Sequence, residues 1–169
     1  MQLYDLTVPQ LMKMLKNVDS WLATATKHAD AKKFDVNTLM KARLAPDQFA
    51  FDRQIQTMCD NAKFVAGRLT GRQAPAHPDT ETTFDQLRTR VTAVVSYLET
   101  FKPEEFAGAG ERKIALPWME GKWMTGDEYV AQFALPNFYF HAVTAYAILR
   151  HNGVELGKRE FLGSVPMRG

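Results

Sequence analysis

Cysteine is almost missing from this sequence. Cys59 stands alone among 169 residues, so no internal disulfide can form. Residues 1–10 hold no basic stretch followed by an apolar one, which speaks against a secretory signal. A disulfide-free chain of this kind is expected in the cytoplasm. Long hydrophobic runs are missing as well. No stretch approaches the ~18–20 uninterrupted apolar residues of a membrane-spanning helix. The most apolar one, 129–149, is interrupted by Gln132, Pro136, Asn137 and His141. Charge of one sign is scarce: 21 basic residues face 19 acidic ones, a net charge of +2. A field so weak argues against nucleic acid or a membrane surface as partner. There is no glycine-rich phosphate loop opening a helix, no Gly-x-Ser-x-Gly elbow, no His-Glu-x-x-His and no Cys-x-x-Cys, which removes the commonest catalytic signatures.

What is present is helical periodicity. Val8, Leu11, Met12, Leu15, Val18, Leu22 and Ala25 recur at steps of three and four, the stripe of an amphipathic helix. Thr7 is placed to cap it, with Pro9 in its first turn. Residues 34–44 read as a connection with one helical turn near 39–44. A second helix is expected over 46–69, with Phe51, Ile55, Met58, Ala62, Val65 and Leu69 as its core stripe; Cys59 falls among these apolar positions and reads as a small core residue. The third opens at Thr83-Phe84-Asp85-Gln86, carries Phe84, Leu87, Val91, Val94, Leu98 and Phe101 as its stripe, and closes before Pro103. Its start is a capping box, in which hydroxyl and amide each satisfy a free backbone N–H. Residues 102–124 read as a small hairpin or extended loop. A second box, Thr125-Gly126-Asp127-Glu128, opens a fourth helix that runs to His151, with Gly153 just past its end. Pro136 should kink or break that helix at Leu135. Residues 154–169 read as extended. Four stripes of this length bury one another by packing together, so the fold class is all-α, a four-helix bundle in a single domain over 1–169.

One constellation could carry chemistry. Asn137 and His141 lie one turn apart on the same face of the fourth helix. That face also holds Ala134, Phe138, Ala145 and Ile148, so His141 points into the bundle. Imidazole is a common transition-metal ligand and a proton acceptor near neutral pH. Asp47 and Gln54 would share a face of the second helix with Phe51 and Met58, while Asp52 turns sideways. The competing reading is structural. A lone histidine in an apolar stripe is usually a hydrogen-bonded core residue, Asn137 follows a proline where a helix restarts, and Asp47 suits a helix start. A zinc site normally draws three or four strong ligands, and only His141 qualifies. His151 suits the negative end of its helix, and His28 and His77 fall in polar connections.

The run Leu135-Pro136-Asn137-Phe138-Tyr139-Phe140-His141, followed by Ala145-Tyr146-Ala147-Ile148-Leu149-Arg150-His151-Asn152-Gly153 and Gly157-Lys158-Arg159, resembles an uncharacterised bacterial family of the DinB-like (DinB/YfiT) superfamily. Arg43-Leu44-Ala45-Pro46-Asp47, Arg53-Gln54 and Arg68-Leu69 resemble it too. The resemblance implies an up-down-down-up bundle and a homodimer. It also implies a divalent metal, zinc or nickel, held by three histidines, one on the second helix and two spaced four apart on the fourth. Carried over, His141 matches one ligand, Asn137 stands at a second and Gln54 near the third. Two amides thus replace histidines, and an amide oxygen binds zinc or nickel weakly. The function implied is a metal-dependent transferase or hydrolase with a degenerate site. In it His141 would be the ligand or general base, with Asn137, Gln54 and Asp47 holding substrate or water. The alternative is a non-catalytic small-molecule-binding or stress-response module that has lost the metal.

Overall fold

The computed structural model describes residues 2–169. Helix α1 spans Leu3–Lys32. It begins earlier than its apolar stripe suggests, because the Asp5 carboxylate accepts the Gln2 N–H at 3.0 Å and anchors the first turn. Thr7 is therefore not a cap. It is buried inside the helix, and its hydroxyl donates to the Leu3 carbonyl at 2.6 Å. A 3-10 helix over Val36–Lys41 follows, ahead of the turn expected at 39–44. Helix α2 spans Phe51–Thr70 and starts five residues later than Pro46 implies. Residues 45–48 form a turn closed by Gln48 N–H on Ala45 O at 3.1 Å, and Arg43 takes the Gln48 carbonyl at 2.5 Å. That carbonyl is thus committed outside the helical ladder.

Helix α3 spans Phe84–Leu98, and Thr83 and Gln86 form the expected capping box at its start. The connection 102–124 is a chain of 3-10 turns with one antiparallel bridge, Ile114 to Met124, closed by bonds of 2.8 and 2.9 Å. The hairpin is thus reduced to a single pair. Gly126 is required next: a Cβ there would lie 1.9 Å from the Ala109 carbonyl oxygen. The fourth bundle member is continuous but not uniform. A short α4, Gly126–Glu128, passes into a π-helical turn, Tyr129–Ala134, and then into α5, Leu135–His151. Pro136 neither breaks nor caps the run. The turn before it widens instead, with Leu135 N–H bonding to Val130 O five residues back. A wider turn removes the clash of a proline ring with the carbonyl four residues earlier. Residues past 154 are not all extended. A five-residue α6, Lys158–Leu162, docks on α1, where Trp21 Nε1 donates to Glu160 O at 2.9 Å and stacks on Phe161 at 5.6 Å.

Cross-helix pairs give the direction of each member. Arg88 meets Asp19 and Lys16 meets Glu99, so α3 runs against α1. Phe51 stacks on Phe84 and Asp60 meets Arg90, so α2 runs with α3. Gln54 meets His141 and Arg68 meets Tyr129, so the fourth member runs against α2. The order is up-down-down-up. The predicted stripes of α2 and α3 are buried throughout, Cys59 included. Burial pushes the Cys59 thiol up to about 12, which leaves it protonated. Among the described residues no helix is long and apolar enough to cross a membrane.

Candidate functional site

The antiparallel packing of α2 on α5 brings Gln54 and His141 together in the bundle interior. Gln54 is wholly buried and His141 is 6% exposed. His141 Nδ1 lies 2.7 Å from Gln54 Oε1. The Gln54 amide nitrogen donates to the Phe49 carbonyl at 3.0 Å, which fixes the amide so that its oxygen faces the ring. The imidazole is then the Nδ1–H tautomer, with its lone pair on Nε2. Nε2 has no hydrogen-bond partner among the described residues, yet it is not one of the polar atoms sealed from solvent. It is the outward-facing side of the ring. Phe49 stacks near-parallel over the imidazole at 6.4 Å, and Phe140 meets it edge-on at 5.3 Å. Both phenyl rings are exposed. Burial, and secondarily the Arg53 guanidinium, hold the His141 pKa below its ordinary value, so the neutral ring dominates near pH 7. Geometry and charge together make His141 a proton or hydrogen-bond acceptor.

The other predicted residues separate. Asn137 is half-buried and borders a different pocket, with Asn61 and Trp118. Asp47 does not share a helix face with Gln54. It sits exposed on the turn before α2. Asp52 is buried and paired with Lys41. Phe49 and Arg53 also border a cavity of about 290 Å³ whose lining includes Lys41, Asp52, Gln56 and Glu81.

The donor set can be tested against zinc or nickel directly. It offers one imidazole, whose Nδ1 is engaged by an amide oxygen, and no second strong ligand facing it. No group of three or more His, Cys, Asp or Glu side chains converges anywhere among the described residues. Zinc draws three or four such ligands, so the residues at His141 do not fit the metal that the resemblance implies.

Sequence reasoning missed the polar interior of α2 beyond Gln54. Arg90 of α3 is 1% exposed in its side chain and binds Asp60 at 2.7 Å, Asp79 at 3.0 Å and Glu81 at 3.0 Å. Lys63, also buried, binds Asp60 at 2.7 Å and donates to His77 Nδ1 at 3.1 Å. Burial and the adjacent Lys63 charge lower the His77 pKa. His77 is therefore not the free solvent histidine its polar segment suggests. No periodic signal marks these residues, since each is charged or polar and reads as surface.

An all-α, up-down-down-up bundle with a buried Gln54–His141 pair between its second and fourth members defines the class, a DinB-like protein. The family described as "Domain of unknown function (DUF1993)" matches residues 3–162, and the chain belongs to that family. A solved structure described as a DinB family member protein from Shewanella denitrificans is 48% identical. It covers 99% of this chain and 95% of its own, with a TM-score of 0.96. No curated protein matches the chain.

Proposed function

We propose that this DinB-like protein binds a small molecule at the α2–α5 cleft through His141, with no resident transition metal. The observation that carries the reading is the Gln54–His141 pair. It consumes Nδ1–H and leaves an uncharged Nε2 acceptor that is not sealed from solvent, on a ring packed by two exposed phenyl groups. Such an arrangement accepts a hydrogen bond from a hydroxyl, thiol or N–H of a ligand and can take up its proton. The same proposal includes self-association. Phe140 and Val143 on α5 are 56% and 50% exposed, three residues apart on one helix face, and this apolar surface suits a second copy of the chain.

The test combines metal analysis with NMR of the histidine side chains. The protein should hold no stoichiometric zinc or nickel. His141 should show the Nδ1–H tautomer, and added zinc should leave its resonances unmoved. One equivalent of metal that is lost in His141→Ala would overturn the metal-free reading. An Nε2–H tautomer at pH 7 would remove the acceptor on which ligand recognition rests.

A further inference from the structure

A second pocket opens one turn from His141 along the same pair of helices. Its volume is about 230 Å³, and residues 116–118 form part of its wall. That is below the ~300–1,000 Å³ of sites for drug-sized ligands, and suits a single small ring system. Aromatic and aliphatic side chains supply most of its wall. Trp118 and Phe133 stand on one side, with ring centroids 5.8 Å apart, and Phe64 on the other.

Two carboxamides border this apolar space. Asn61 on α2 is 7% exposed, and its Oδ1 is sealed from solvent with no hydrogen-bond partner. Asn137 on α5 borders the pocket from the facing helix, and its side chain forms no hydrogen bond among the described residues. The Asn61 Nδ2 also lacks a partner among the described residues and is not sealed, so it is the atom a ligand in the pocket meets. Two charges stand nearby, of which only Asp60 has an opposite charge against it among the described residues. Asp60 is held by Lys63 and Arg90, and Arg68 bonds the Tyr129 hydroxyl at 3.0 Å and covers the Phe64 ring at 4.8 Å. The pocket therefore offers flat apolar walls, two primary amides and, in Arg68, a guanidinium that no carboxylate of the described residues pairs.

We infer that this pocket binds a planar heterocycle or aromatic ring bearing an amide or lactam edge. A carboxamide pairs with such an edge through one donor and one acceptor. Asn61 supplies the donor through Nδ2 and Asn137 carries both groups, and a flat ring stacks on Trp118 where a puckered one does not. The site is separate from the Nε2 of His141 and adds a ligand class that the earlier reading does not name.

Nicotinamide is the probe. It is flat, neutral at pH 7 and carries a primary amide. Titrated into the protein, it should move the side-chain NH₂ signals of Asn61 and Asn137 in a saturable way. Cyclohexanecarboxamide, equal in its amide but puckered, should bind markedly more weakly. Trp118→Ala changes a side chain that is 63% exposed and should leave the fold intact while weakening nicotinamide about tenfold, the scale of one lost stacking contact. Asn61→Leu should weaken it by a similar factor. Should Asn61→Leu fail to fold, Asn137→Ala, at a half-buried position, replaces it. Equal binding of the puckered amide, or affinity unchanged in Trp118→Ala and in the amide variant, would overturn the proposal. So would an absence of shifts at Asn61 and Asn137. Shifts confined to the His141 ring would overturn this site while leaving the proposed role of His141 standing, and shifts confined to the two amides support this site and leave that role to its own tautomer test.

Discussion

At the scale of the residue, His141 shows what periodicity can and cannot deliver. Its register on the fourth helix placed it inward, and inward it lies, with Gln54 opposite. Helical spacing could do this because position on a helix determines facing once the helix exists. Asp47 escaped the same logic, since a carboxylate after a proline suits a helix start and a turn equally well. Here the turn prevails, because Arg43 takes a carbonyl of that segment. The ring also has a thermodynamic signature. The native state holds the His141 pKa below its ordinary value of 6.5, and His77 shifts the same way. Between the ordinary value and the lower native one, the unfolded chain binds more protons than the folded one. Stability should thus be fully present above pH ~6.5 and fall as the pH drops through the lowered native values. Thermal melts across that range should show a falling midpoint, with a shallower slope in His141→Gln. A slope identical to that of the native protein would show that the ring is not held neutral by its surroundings.

At the scale of the element, the apolar stripes of α2 and α3 and both capping boxes were visible in advance, because each is a local pattern. The widened turn before Pro136, the docking of α6 and the polar seam between α2 and α3 were not. Those features depend on what faces an element across the fold. Arg90 is the clearest case. One guanidinium ties α3 to Asp60 of α2 and to Asp79 and Glu81 of the segment between the two helices. Arg90→Met keeps the length of the side chain but leaves the buried Glu81 carboxylate without its cation and Asp60 with Lys63 alone. The expected cost is about 3–5 kcal/mol, read from urea denaturation, with faster proteolysis between residues 71 and 82. A loss under about 1 kcal/mol would mean that water, rather than Arg90, solvates those carboxylates.

At the scale of the whole molecule, the bundle buries one face of each long helix and leaves Phe140 and Val143 exposed on α5. If a second copy covers them, Phe140→Asp should convert a dimer to a monomer in sedimentation velocity, with the melting midpoint changed only through loss of partner binding. A native protein that sediments as a monomer at high concentration would leave those side chains to the ligand cleft alone. The up-down-down-up order also means that the cleft is built by members distant in sequence. Gln54 and His141 are 87 residues apart, so neither α2 nor α5 carries the site by itself.

The clasp of α6 on Trp21 bears on how the chain is made. The indole nitrogen finds its acceptor at Glu160, 139 residues downstream. During synthesis on the ribosome α1 emerges first, and its largest buried ring must wait for almost everything else before its final cover exists. Contacts so distant in sequence close late, after the loops between them have been ordered. Until then Trp21 is a greasy surface on a nascent helix, the kind of exposed patch that chaperones hold.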